Sequence, residues 1–68
     1  MRNRVREMRT ERGMSQAELA VALGVSRQTV ISIESGRYSP SLPLAFQIGH
    51  YFDSTVDEMF DASQEVRS

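Results

Sequence analysis

The chain has 68 residues, no cysteine, 40% hydrophobic residues and a net charge of −1. A single domain near the lower size limit for folding without metal or disulfide is expected, and disulfide frameworks, thiolate catalysis and cysteine-ligated zinc are excluded. No apolar run reaches membrane-spanning length and the Arg-rich start lacks the apolar core of a signal peptide, so no membrane partner and a cytoplasmic address are expected.

In chain order, residues Asn3 to Arg12 read as a first helix, with Val5 and Met8 facing inward and Gly13 closing it. Ser15 and Glu18 form a capping box for a second helix, and Met14 and Leu19 flank that cap as a hydrophobic staple. Gly24 follows Leu23 where a helix end needs a left-handed residue. The pattern then recurs, with Ser26 as cap, Thr29 at the third helical position, Val25 facing Val30, and Gly36 after Ser35. Two short helices, a brief turn, and polar side chains on the outer face of the second spell a helix-turn-helix. That motif sets its second helix in the major groove of DNA.

The stretch GRYSPS, residues 36–41, breaks the periodicity as a turn-rich connector. Ser41 caps a fourth helix, with Leu42 and Pro43 in its first turn and Ala45, Ile48 and Phe52 at helical spacing, running to about Phe52. Thr55 and Glu58 make a further capping box, opening a short fifth helix from Val56 to about Asp61. Residues 1–61 form the expected domain and residues 62–68 a polar C-terminal tail. No segment reads as a strand, so the expected fold class is all-α with five helices.

Charge divides the chain. Residues 1–37 hold seven Arg and four Glu, a net of +3, whereas residues 38–68 hold one Arg, three Asp and two Glu, a net of −4. A basic half suits phosphates while the acidic half faces away, although many soluble domains share such an asymmetry. No catalytic constellation assembles. His50 is the single histidine, and its place on the fourth helix suits surface or packing duty. Asp57, Glu58 and Asp61 cluster, but no loop supplies the further oxygen ligands that calcium needs. No enzyme activity, metal or cofactor is expected.

The helix order and the strings SQAELA, LGVSRQTV, IESGRYSPSL and DEMF resemble the xenobiotic-response-element type of helix-turn-helix regulator, the group of the phage Cro and lambdoid repressor DNA-binding domains. The likeness covers about residues 3–61. It implies a five-helix, lambda-repressor-like fold in which the third helix presents Arg27, Gln28 and Ser32 to base edges, with Ile31 beside them. Gln pairs bidentately with adenine, Arg with guanine, and an aliphatic side chain touches a thymine methyl. Arg27, near the helix start, suits a phosphate almost as well.

The resemblance further implies DNA phosphate contacts from Gln16 and secondarily Ser15, and from Arg37, Tyr38 and Ser39 in the connector. For Tyr38, packing against the fourth helix stands as an equal alternative. Arg9 and Glu34 match a structural ion pair of the group. Tyr51, Val56, Met59 and Phe60 match its dimer interface, though a monomer core would use the same apolar side chains. The sequence departs from the group's pattern at Ile31, where a small or polar residue is common. It departs again at Asp53–Ser54, where Gly and an apolar residue are usual. The implied function is sequence-specific DNA-binding transcriptional regulation, by a repressor that binds double-stranded DNA as a homodimer on a near-palindromic operator with half-sites ~34 Å apart. The alternative is an antitoxin or accessory module whose main partner is another protein.

Overall fold

Hydroxyl side chains set where most of the helices begin. The computed structural model describes residues 2–61, in the order β1 (Arg2–Asn3), α1 (Val5–Glu11), α2 (Gln16–Leu23), α3 (Arg27–Glu34), α4 (Leu42–Tyr51), α5 (Val56–Met59) and β2 (Phe60–Asp61). Ser15, Ser26, Ser41 and Thr55 accept from the backbone N–H groups of Glu18, Thr29, Leu44 and Glu58. Each such bond satisfies a donor that the helix itself cannot, and losing one costs about 1 kcal/mol. At Ser15 and Thr55 the glutamate at the third helical position reaches back to the cap backbone, completing two capping boxes. The Thr55 backbone N–H, then the Ser54 and Thr55 side chains, hold the Glu58 carboxyl below its ordinary range.

The helices also end alike. Gly13, Gly24, Gly36 and Asp53 hold φ of 67°, 73°, 82° and 56°. After each, the next residue's N–H returns to the carbonyl five positions back: Met14 to Arg9 at 3.2 Å, Val25 to Ala20 at 3.0 Å, Arg37 to Ser32 at 3.2 Å, and Ser54 to Gly49 at 2.7 Å. Four helices thus close on one Schellman-type turn, and only the fourth has a side chain at the left-handed position. That region costs an L-residue about 1–2 kcal/mol, less for Asp. After the extra freedom of a glycine in the unfolded chain, Asp53→Gly is expected to stabilise by about 0.5 kcal/mol and raise Tm by about 2–4 °C. A thermal melt with an unchanged or lower midpoint would contradict this.

Leu19, Ala20 and Leu23 of α2, Val30 and Ile33 of α3, and Ala45 and Ile48 of α4 meet in one core with Val5, Phe52, Met59 and Phe60. Gly49 lets α4 lie close to the connector that follows it. A Cβ there would stand 3.0 Å from the Ser54 carbonyl oxygen and 3.5 Å from the Val56 nitrogen. Nothing in the sequence reading singles out this residue, although an isolated glycine inside a helix commonly marks such an approach.

The two ends of the domain depart from expectation. α1 starts at Val5 rather than Asn3, because Asn3 lies in β1, paired antiparallel with Phe60. The Asn3 side chain accepts from the Val5 N–H at 3.1 Å and donates to the Ile33 carbonyl at 2.8 Å, tying the start of α1 to α3. α5 stops at Met59 rather than Asp61, since Phe60 turns extended at φ −124° and ψ 122°. The Arg4 N–H donates to the Met59 carbonyl at 2.8 Å. A pair of two-residue strands leaves the class all-α. Met59 and Phe60 are 1% and 6% exposed, and both side chains pack in the core of the single chain. The expected tail, residues 62–68, lies outside the described residues.

Candidate nucleic-acid interface

α3 buries Val30 and Ile33, and with ~100° between successive residues the opposite side carries Arg27, Gln28, Ile31 and Ser32. Arg27 and Gln28 are exposed, Ile31 and Ser32 half-buried. Neither the Arg27 guanidinium nor the Gln28 amide has a hydrogen-bond partner among the described residues, so both keep their donors for another molecule. The row stands between two hollows. On one flank a cleft of about 680 Å³ is lined by Arg6, Gln16, Ala17, Arg27, Ile31 and Ser35, among others. On the other a shallower hollow of about 220 Å³ is lined by Ser26, Gln28, Thr29, Ser32 and Tyr38. Ile31, the unusual aliphatic residue, is half-buried along the first cleft.

Beneath the row lies an ionic junction of three helices. Arg9 Nε donates to Glu34 Oε2 at 2.6 Å, and Nη2 donates to Oε1 at 3.3 Å. Arg9 Nη1 donates to the Met14 carbonyl at 2.7 Å, so the guanidinium also holds the link between α1 and α2. The Gln16 amide donates to Glu34 Oε1 at 3.2 Å from the first turn of α2. The two charged side chains are 11% and 4% exposed. Two consequences follow. The Glu34 charge is compensated in place and does not repel a phosphate above it. Gln16 spends one amide hydrogen on orientation and keeps the second.

Ser15 is exposed at the start of α2, with its hydroxyl engaged as the cap. Past the end of α3, Arg37, Tyr38 and Ser39 are all exposed. The N–H groups of Arg37 and Tyr38 both reach the Ser32 carbonyl at 3.2 Å, fixing the connector against the helix. Tyr38 is 45% exposed and borders the hollow beside Gln28 and Ser32. Tyr51, the last residue of α4, is 36% exposed, and Val56, the first of α5, is half-buried.

Sequence reasoning passes over two long-range ties, one at the end of α3 and one at the end of α4. Asn3 fixes the end of α3 through the Ile33 carbonyl. Arg12, one cation among the basic half, donates to the Tyr51 carbonyl at 3.2 Å and covers the Phe52 ring at 5.1 Å, so it caps α4. An arginine shortly before a glycine turn carries no local sign of such a role.

A turn-linked helix pair with its second helix facing outward defines a helix-turn-helix domain, and the chain belongs to the Helix-turn-helix family HTH_3, whose model matches residues 5–59. It is similar to an uncharacterized HTH-type transcriptional regulator of Archaeoglobus fulgidus, 45% identical over 60 residues, spanning 88% of this chain and 86% of that protein. The uncharacterized HTH-type transcriptional regulator MJ0272 of Methanocaldococcus jannaschii is also 45% identical over 60 residues, 88% of this chain and 91% of its own. YgzD of Bacillus subtilis, named in the same way, is 43% identical over 65 residues, 96% of this chain and 98% of its own.

Proposed function

We propose that the protein is a cytoplasmic, sequence-specific DNA-binding transcriptional regulator of the xenobiotic-response-element type, acting as a repressor. The observation that carries this reading is the outward row of α3, where the Arg27 and Gln28 side chains have no hydrogen-bond partner among the described residues and stand beside Ile31 and Ser32. Gln28, Ile31 and Ser32 read base edges in the major groove, and Arg27, at the start of the helix, reaches a base edge or the adjoining phosphate. Ser15, Gln16, Arg37, Tyr38 and Ser39 set the domain against the sugar-phosphate backbone and carry no sequence information themselves. The names of the relatives, each an HTH-type transcriptional regulator, support the same reading.

One module of this size covers too little DNA for strong discrimination, so a homodimer on a near-palindromic operator is the working unit. With Met59 and Phe60 inside the core, Tyr51 and Val56 remain available to the dimer from the expected set. Phe46, 59% exposed on α4, borders a hollow with Val56 and adds apolar surface there. α4 holds no Asp, Glu, Lys or Arg, so two copies of it meet without like-charge repulsion.

Selection of bound duplexes from a randomised library at low and physiological salt tests the reading. An enriched inverted repeat with half-sites one helical turn apart is the expected result. Binding at low salt alone, with no enriched sequence, would reduce the interaction to charge. It would bring forward the alternative of an antitoxin or accessory module that docks a protein on the exposed face of α4.

A further inference from the structure

We infer that Arg6, on α1, takes a DNA backbone phosphate together with Arg27, across the cleft beside the reading face of α3. The inference rests on the DNA-binding reading above and adds a residue that neither the sequence pattern nor the resemblance assigns.

Partners sort the arginines. Arg4 is held by Glu7, with Nη2 to Oε2 at 3.0 Å. Arg9 is held by Glu34, and Arg12 by the Tyr51 carbonyl and the Phe52 ring. Arg6, Arg27 and Arg37 are exposed, and their guanidinium groups have no ion pair or hydrogen bond among the described residues. Of these three, Arg6 and Arg27 come from different helices and line the same cleft of about 680 Å³.

Among the described residues the only carboxylate lining that cleft is Glu34, whose side chain is 4% exposed and already bound by Arg9 and Gln16. Two uncompensated guanidinium groups therefore border one concavity, an arrangement that an anion between them relieves. Guanidinium forks match phosphate oxygens bidentately. The identity of the anion follows from position. Arg27 and Ile31 belong both to this cleft and to the base-facing row, so a strand whose bases meet α3 passes its phosphates along the cleft mouth. Arg6 acts as a positioning residue and reads no base.

The test measures binding of the full chain to the selected duplex and to a scrambled duplex over a salt series, by fluorescence anisotropy. Arg6→Ala is expected to weaken both complexes alike and to lower the slope of log K against log salt by about 0.9, one phosphate's worth. The gap between variant and wild type then narrows about threefold from 50 to 200 mM salt. Arg6→Lys is expected to keep the slope, and Arg4→Ala, which removes an arginine already paired with Glu7, to leave it unchanged. Arg6 is exposed, so its variants are expected to melt as the wild type does, and anisotropy then reports binding alone. An unaltered slope in Arg6→Ala, or a loss confined to the selected duplex, overturns the proposal while the DNA-binding reading stands. A wild-type chain that binds neither duplex overturns both, and inorganic phosphate that displaces neither duplex at millimolar concentration supports a polymeric phosphate over a free one.

Discussion

Glu34→Ala is expected to destabilise the domain by about 3–5 kcal/mol, because it strands the Arg9 charge in a site where that side chain is 11% exposed. The loss is large on the scale of the whole. A domain of this length holds only ~3–10 kcal/mol of net stability, so the variant is expected to melt at least 10 °C lower or to be partly unfolded at room temperature. The carboxylate accepts from two nitrogens of Arg9 and from the Gln16 amide, and α1, α2 and α3 all lose a tie when it goes. Removing both members of the pair should cost less than the sum of the single losses, since no buried charge is then left alone. Equilibrium denaturation of the two single variants and the double variant measures this directly. A single-variant Tm equal to that of the wild type would show that the pair is idle.

Gln28→Ala is expected to cost about 1–3 kcal/mol on the preferred operator and to relax base preference at one or two positions per half-site. The side chain is exposed at the centre of the α3 outer face and makes no contact that folding needs. Stability should therefore stay level while specificity falls. The measurement is a binding profile over all single-base variants of the operator. A profile that weakens uniformly, or does not change, would remove Gln28 from the base-reading row. Seen together, the Glu34 and Gln28 variants separate holding the helix from reading with it.

Much of the fold is legible where the signals are local. Ser15, Ser26, Ser41 and Thr55 announce their helices because a cap depends on residues within three positions of it. The turns at Gly13, Gly24 and Gly36 are equally local, and the positive φ of Asp53 shows how the chain manages where glycine is replaced. The strand pair was not legible, since two-residue strands carry no alternation and their partners lie at opposite ends of the domain. The same distance hides Asn3, which looks like a helix start until the Ile33 carbonyl is found beside it. Met59 and Phe60 suit a core and an interface equally well by composition, and their burial comes from packing across the domain that no local pattern announces. At the site, sequence places Arg27, Gln28, Ile31 and Ser32 on one face by helical spacing. It does not tell which arginines are spent on glutamates, because pairing such as Arg9 with Glu34 joins separate helices.

The ladder between Arg2–Asn3 and Phe60–Asp61 also bears on the order in which the molecule assembles. α2 and α3 are neighbours in sequence and need only a short turn to meet, whereas the ladder closes a loop that contains almost the whole domain. Loop-closure entropy and contact order place such an encounter late in folding, and among the first to come apart in the native ensemble. Asn3 belongs to that late unit, yet its amide grips the last turn of α3. On this account α3 forms early and is secured at its far end only when the two ends of the domain find one another.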